Sequence, residues 1–223
     1  MDGLRITSKL TKGKLRIAFG YMKFKFFALA LIFLSSFALN AKSRLGEYYL
    51  GFGYTLVDGG KSGDIEGGLF DITANSLASD STDFILNFSY GEVETNGTDD
   101  STFSLGLDYV YHYDEYVFQN GMFRPYAGLG ISYIKDDMGA RLGDDGMTWS
   151  FLAGTEILFT DNFSFMLGGR FIGLWSDFGE NDFYLNTAIS YWINDVHGIA
   201  IEYNRALDQK VSFIGLKYLY SWQ

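Results

Sequence analysis

Residues 123–133 read FRPYAGLGISY, and their side chains alternate between two kinds. One face of an extended chain collects the apolar side chains Ala127, Leu129, Ile131 and Tyr133. The other face collects one tyrosine and three small residues, Tyr126, Gly128, Gly130 and Ser132. A period of two with large apolar groups on one face predicts a strand that meets lipid on that face and a packed or wet lumen on the other.

The same alternation recurs along the chain and ends in an aromatic residue. The candidate strands are 47–57, 64–73, 82–94, 101–113, 123–135, 147–160, 162–175, 182–193, 197–206 and 210–222. The pattern is poorest in 64–73. We therefore predict an all-β fold, an antiparallel transmembrane up-and-down β-barrel of 10 strands, with 8 as the alternative because a single bacterial barrel needs an even number.

The connections between these segments alternate in length. Asp161-Asn162 and Asn194-Asp195 are typical of tight turns. Longer polar loops are expected on the opposite side, at 58–63, 95–100, 136–146, 176–181 and 207–209, and 114–122 is longer than a usual periplasmic turn. Short turns on one side and acidic loops on the other are expected of a barrel in the outer membrane of a bacterium.

The first 41 residues differ from the rest. Seven of them are basic, one is acidic, and an apolar run from Phe26 to Phe37 is followed by Ala38 and Ala41. This order predicts a secretory signal peptide with its core at 22–41, cleaved after Ala41 or, as second choice, Ala38; an uncleaved anchor is the alternative. We expect residues 1–41 to be extension plus signal, and 42–223 to be one barrel domain.

Charge and cysteine content narrow the function further. Without residues 1–41, Lys plus Arg falls from 17 to 10 and Asp plus Glu from 27 to 26, so the net charge is −16. Such acidity repels phosphates, and we expect no nucleic acid partner. The chain has no cysteine, which excludes disulfides and thiolate chemistry.

A soluble β-sandwich or lipocalin-like barrel would show the same period of two. Such a protein places its large apolar side chains inside. Here the face opposite the aromatic residues is mostly Gly, Ser, Ala and Asn, which is too small to fill a soluble core of this size. The membrane barrel is therefore favoured.

With the signal peptide, the FRPYAGLGISY strand and the final VSFIGLKYLYSW strand, the chain resembles the OmpA/OmpX-like small outer-membrane β-barrel protein family. The resemblance implies insertion by the barrel-assembly machinery, which recognises the C-terminal strand. Gly215, Tyr218, Tyr220 and Trp222 resemble that assembly signal, although Gln223 follows the last aromatic. Outer-membrane lipids and lipopolysaccharide are the other expected partners, and the oligomeric state is left open.

Five charged residues fall on the predicted lumen face: Asp108, Glu156, Arg170, Glu202 and Lys217. Charges of both signs in a narrow lumen predict ion pairs, because an unpaired buried charge costs several kcal/mol. Glu156 and Arg170 lie on adjacent strands of one hairpin, and we expect them to pair. The set is interpreted as a brace for the barrel, with a charged gate of a small pore as the alternative.

Catalytic and metal sites are weakly supported. Some outer-membrane barrels are proteases or lipid A-modifying enzymes, but the chain offers only His112 and His197, neither near the acidic loops. Asp99, Asp100, Asp136, Asp137, Asp144, Asp145, Asp177, Glu180 and Asp182 lack the fixed spacing of a Ca²⁺ loop. We expect no catalytic residue, no metal and no cofactor.

Six aromatic residues are interpreted as an interfacial belt rather than as a sugar-binding platform: Tyr48, Tyr54, Trp149, Trp175, Tyr191 and Trp222. The sequence thus predicts a non-enzymatic outer-membrane barrel with a largely filled lumen and an envelope-structural or surface-display role. The alternatives are a narrow porin-like channel for small solutes, a lipid A-modifying or proteolytic enzyme, and an adhesin.

Overall fold

The computed structural model describes residues 42–59, 65–95, 97–113, 123–136 and 145–222. Ten strands lie in these residues, and each pairs antiparallel with its neighbours in sequence. The first strand also pairs with the last, so the sheet closes into a barrel without a free edge. The predicted ten-stranded antiparallel fold is confirmed. None of the described residues belongs to a helix that could span a membrane.

The strands are β1 (Tyr49–Gly59), β2 (Ile65–Ser79), β3 (Thr82–Thr95), β4 (Thr98–His112), β5 (Phe123–Asp136), β6 (Gly146–Thr160), β7 (Phe163–Leu174), β8 (Asn181–Trp192), β9 (His197–Ala206) and β10 (Val211–Ser221).

Residues 48 and 222 leave the barrel at the same end, because the number of strands is even. We call this the terminal end; it also carries the connections 80–81, 113–122, 161–162 and 193–196. The opposite end, called the loop end, carries 60–64, 96–97, 137–145, 175–180 and 207–210. The two-residue turn at Asp161-Asn162 is confirmed, whereas Asn194 and Asp195 lie in a four-residue connection.

Two predicted boundaries are wrong. Strand β2 runs six residues beyond the predicted 64–73, to Ser79, where Ser76 and Ser79 hide the alternation although the backbone stays paired with β3. The predicted loop 95–100 is too long, because β3 extends to Thr95 and β4 begins at Thr98, with Asp99 and Asp100 opposite Glu94 and Val93. Polar residues at the end of a strand, where it extends into water, do not interrupt the hydrogen bonds between strands. They do remove the alternation of apolar and polar residues from which a strand is predicted.

The faces of the strands are as the alternation predicts. On β5, Leu129 and Ile131 point outward and are 56% and 52% exposed, while Gly130 and Ile134 are buried inside the barrel. The outward surface carries many large exposed apolar side chains, among them Tyr54, Phe151 and Leu216. A water-soluble protein rarely exposes so continuous an apolar surface, whereas the hydrocarbon of a bilayer solvates it.

The interior contains glycines that make room for larger side chains. The Tyr126 hydroxyl lies where a Cβ on Gly154 or Gly168 would be, at 2.6 Å and 2.3 Å respectively. The ring of Tyr126 therefore crosses the inner face of β6 and β7. The small residues at positions 154 and 168 are thus needed for the close approach of this tyrosine.

Candidate functional site: the barrel interior

A short segment before β1 folds into the terminal end of the lumen. We call Lys42–Glu47 the plug. Lys42, Ser43, Arg44 and Leu45 are all buried, with no more than 8% of any of these residues exposed. The alternation of the strands gave no indication of this segment, because it has no periodicity. It supplies two cations to an interior whose strands carry buried carboxylates.

The centre of the plug is held by Glu156 on β6, which is fully buried. The Ser43 hydroxyl donates a hydrogen bond to Glu156 Oε2, and the Arg44 backbone N–H donates to Glu156 Oε1 over 3.0 Å. From β5, Arg124 Nη1 donates to Ser43 Oγ at 2.8 Å and to the Leu45 carbonyl at 2.7 Å. These bonds satisfy a carboxylate and plug backbone groups that would otherwise be buried without partners.

Arg44 joins the plug to the opposite wall of the barrel. Arg44 Nη2 lies 2.8 Å from Glu202 Oε1 on β9, and Lys217 Nζ on β10 lies 2.8 Å from Glu202 Oε2. Lys217 also donates to Thr73 Oγ1 at 3.2 Å. The Arg44 guanidinium lies 5.9 Å from the centroid of the Tyr49 ring. The Glu202 carboxylate is therefore the shared counterion of two buried cations, Arg44 and Lys217.

The end of the plug contacts β2 and β3. The Gly46 N–H donates to Asp83 Oδ2 at 2.9 Å, and the Asn75 amide donates to the Glu47 carbonyl at 2.8 Å. Gly46 has φ = +76°, and a Cβ there would lie 3.2 Å from His112 Cε1. A glycine is needed at this position both for the left-handed backbone and for the close approach of the histidine.

Lys42 fixes the beginning of the plug at the rim. Its ammonium donates to Ser221 Oγ at 2.8 Å and to the Asp195 carbonyl, and it lies 5.0 Å from the Trp192 ring centroid. The Lys42 N–H donates to the Asp161 carbonyl. Together, the plug is bonded to side chains from six strands, β2, β3, β5, β6, β9 and β10.

The middle of the lumen contains an ion pair in which the acidic partner of Arg170 differs from the predicted one. Arg170 binds Asp108 on β4 through two hydrogen bonds, of 3.0 Å from Nη1 and 2.6 Å from Nη2. The expected Glu156–Arg170 pair is wrong: in the β6–β7 register, Glu156 is opposite Met166 and Arg170 is opposite Leu152. The two residues are four positions apart along the hairpin.

Asp108 has further support. Asn87 Nδ2 donates to Asp108 Oδ2 at 3.1 Å from β3. A Cβ on Gly130, the residue opposite Asp108 on β5, would lie 2.1 Å from Asp108 Oδ1. Gly130 therefore creates the space that the carboxylate occupies. The bidentate geometry and the amide donor make this a strong, directional charge pair.

Apolar side chains cluster at the loop end of the lumen. Two buried clusters lie there, and Tyr184 packs against both. The Tyr184 ring is stacked on the Phe213 ring with centroids 6.3 Å apart. We call this set the apolar layer; its members are Val57, Ile65, Leu69, Val93, Ala206, Val211, Phe213, Ile134, Ile172, Leu174 and Tyr184. Because Tyr184 connects the clusters, the layer extends across the lumen.

Between the plug and the apolar layer lies a cavity of about 340 Å³, which we call the chamber. It is lined by Arg44 and Leu45 of the plug, by Asp108 and Arg170 in the middle, and by Phe213 of the layer. All five charged residues predicted for the lumen face lie inside the barrel, and Asp108, Arg170, Glu202 and Lys217 line the chamber.

The two histidines lie on opposite faces of the barrel wall. His112 is buried, with Nε2 3.6 Å from Asp83 Oδ2 beneath the plug. His197 faces outward, where its Nδ1 shares a hydrogen bond with the Tyr218 hydroxyl. The two histidines therefore cannot belong to one catalytic site.

The predicted acidic positions do not converge within the described part of the chain. Asp182 is buried, and its carboxylate accepts hydrogen bonds from the Asp208 N–H at 2.8 Å and the Gln209 N–H at 3.0 Å, so it orders a turn. No group of three potential metal ligands is found in the described ranges. Asp137, Asp144 and the side chain of Asp136 lie outside the described residues.

The residues of the predicted assembly signal divide between the two faces of β10. Tyr218, Tyr220 and Trp222 are 43%, 40% and 42% exposed on the outer surface, while Gly215 faces inward against Thr55. Of the predicted belt residues, Tyr48, Tyr54, Trp175 and Trp222 are exposed, as expected for an interfacial position. Tyr191 differs because it is buried.

Solved structures similar to this chain include Neisserial surface protein A, with 14% identity and a TM-score of 0.39 over 78% of this chain and 97% of that chain. The outer membrane protein OprG from Pseudomonas aeruginosa has 15% identity and a TM-score of 0.39, covering 83% and 100%. The translocator domain of autotransporter NalP from Neisseria meningitidis has 9% identity and a TM-score of 0.44, covering 94% and 98%. No curated protein matches the sequence.

The family model for the outer membrane protein beta-barrel domain matches residues 26–191, well over half of the chain. This match agrees with the closed ten-stranded barrel and its apolar outer surface. The chain therefore belongs to the outer membrane β-barrel family and is a protein of the bacterial outer membrane.

Proposed function

We propose that this protein is a non-enzymatic barrel with an occluded lumen, which serves the envelope as a structural element and displays its loop-end connections at the cell surface. The observation that carries the proposal is the plug, which is bonded to six of the ten strands. In this proposal the terminal end faces the periplasm, and the loop end faces outward toward lipopolysaccharide.

The contacts of the plug explain why it would stay in place. Withdrawing it would leave Glu156 and Glu202 with fewer partners in a buried interior, and an uncompensated buried charge is strongly destabilising. At the loop end, the apolar layer would obstruct ions even if the plug moved, because a hydrophobic constriction in a narrow pore excludes water.

The enzyme alternative is less well supported. His112 and Asp83 are 1% and 0% exposed and lie against the plug, so a substrate could reach them only after the plug had left. Lipid A from a deletion strain is therefore expected to have an unchanged mass spectrum. A change that is restored by the wild-type gene but not by His112→Ala would contradict this part of the proposal.

A narrow pore for small solutes is the second candidate, and the chamber favours it. The chamber extends from the plug to the apolar layer and is lined by charges of both signs. Opening both ends of the lumen would produce a continuous path for small solutes through the barrel.

Planar-bilayer recording separates these two candidates. The purified full-length barrel is expected to give no discrete conductance steps in concentrated KCl, with an open porin prepared in the same detergent as positive control. Reproducible unitary steps from the wild-type protein would overturn the occluded-lumen proposal in favour of the pore.

A further inference from the structure

The chamber has two chemically different halves. On the loop-end side its lining is apolar and includes Leu69, Ile134, Ile172 and Phe213. Toward the terminal end the lining is mixed, because Asn87, Asp108 and Arg170 lie beside apolar side chains such as Val110 and Leu152. Its volume of about 340 Å³ is in the range of sites for small organic ligands. A cavity with this division matches a molecule that has an apolar body and one polar end.

The charged residues that line the chamber already have partners, Asp71 of β2 included. Both terminal nitrogens of Arg170 are bonded to Asp108, and Lys217 is bonded to Glu202 and Thr73. Arg44 shares Glu202. An ionic ligand would have to break one of these pairs and lose its own hydration, which is costly in a buried site. The ligand that fits is therefore uncharged.

Among the uncharged polar residues of the lining, Asn186 has a side-chain oxygen with a vacant acceptor position. The Asn186 side-chain oxygen on β8 is buried and accepts no hydrogen bond from the described residues. Asn204 faces it across the β8–β9 pair, and both residues line the chamber. A buried acceptor without a donor costs free energy, and a ligand hydroxyl or amide N–H would recover it.

We propose that the chamber binds a small uncharged amphipathic molecule, with its apolar body against the apolar layer and a hydroxyl or N–H donor directed to Asn186. This inference goes beyond the occluded-lumen proposal. It does not depend on whether ions cross the barrel.

The test uses the barrel in phosphatidylcholine nanodiscs with ¹³C-labelled isoleucine methyl groups. Ile134 and Ile172 report on the chamber, whereas Ile131, Ile201 and Ile214 face outward and report on probe dissolved in the lipid. The probes are 4-methylphenol, toluene and 4-methylbenzoate, which share one apolar body and differ in the polar end.

The expected result is a saturable shift of the Ile134 and Ile172 methyl signals with 4-methylphenol. Toluene should bind about 2- to 10-fold more weakly, because it lacks the hydrogen bond. The carboxylate of 4-methylbenzoate should prevent binding. Asn186→Ala should reduce the affinity for 4-methylphenol to that for toluene, while the matched variant Leu185→Ala, at an exposed outward position of the same strand that does not line the chamber, should leave it unchanged.

Two results would overturn the inference. Inward and outward methyl signals that shift in parallel, without saturation, would show partition into lipid only. Equal affinities for 4-methylphenol and toluene, unaffected by Asn186→Ala, would remove the polar recognition. The conductance experiment has a separate readout, so either proposal can fail without the other.

Discussion

The terminal end and the loop end of the lumen are occupied by different kinds of interaction. At the terminal end, charged and hydrogen-bonded groups of the plug meet Glu156, Glu202 and Asp83 at defined distances. At the loop end, Tyr184 and the surrounding apolar side chains form packed clusters. Because polar contacts depend on each partner, the terminal end should be sensitive to single substitutions that the apolar layer tolerates.

The largest effect is expected from Glu202→Gln, which keeps the size of the side chain and removes its charge. Arg44 and Lys217 would lose their shared counterion in the interior, and breaking a buried ion pair from one side costs about 3–5 kcal/mol. Urea unfolding in detergent micelles, extrapolated to zero denaturant, measures the change in the free energy of unfolding.

Glu66→Gln is the matched control, since Glu66 is an exposed outward residue on β2. It should change the free energy of unfolding by no more than a few tenths of a kcal/mol. If Glu202→Gln cost as little as this control, the terminal end would not be held by buried charge.

A smaller effect is expected from Gly130→Ala. The added Cβ would overlap Asp108 Oδ1, so the carboxylate would have to shift away from Arg170, and overpacking of this kind costs about 1–3 kcal/mol. Gly51→Ala is the inward control, because the nearest atoms to its Cβ would be Leu219 Cδ2 at 3.3 Å and Thr73 Cβ at 3.5 Å, neither of which overlaps it. Equal losses of unfolding free energy for both variants would show that the Asp108 carboxylate does not need the space left by Gly130.

The smallest effect is expected at the loop end, from Phe213→Leu. This substitution keeps an apolar group of similar size in the layer, and such exchanges usually cost less than about 1.5 kcal/mol. The same urea titration measures it. A loss as large as that of Glu202→Gln would mean that the stacking of Phe213 on Tyr184 is as specific as the charge network, and the contrast between the two ends would disappear.

The alternation of apolar and polar residues predicted the barrel because each strand has lipid on one face and the lumen on the other. Strand β5 was predicted at 123–135 and found at Phe123–Asp136. Where polar residues fall on both faces of a strand, the alternation is lost. The prediction therefore missed two strand segments, Ser76–Ser79 of β2 and Asp99–Asp100 of β4.

The candidate site was only partly predictable. The inward charges followed from the alternation, but their partners did not. Counting from the turn at 161–162 would have placed Arg170 opposite Ala153, about 10 Å along the strand from Glu156, which is enough to exclude that pair. The register shift between Leu158 and Thr160 moves Arg170 one residue further, opposite Leu152. The plug has no periodicity; its only signal was the pair of cations at Lys42 and Arg44 before an acidic barrel.

The occluded lumen can be tested most directly by chemical labelling, because the chain has no cysteine of its own. Asn204→Cys places one thiol in the chamber, and its reaction rate with a bulky membrane-impermeant thiol reagent is measured in nanodiscs. Asp58→Cys, at an exposed position of the loop end, gives the rate for full access. We predict slow labelling of Asn204→Cys in the full-length barrel and fast labelling when residues 42–47 are deleted or when Tyr184→Ala and Phe213→Ala are combined. Labelling of the intact barrel as fast as that of Asp58→Cys would contradict the account.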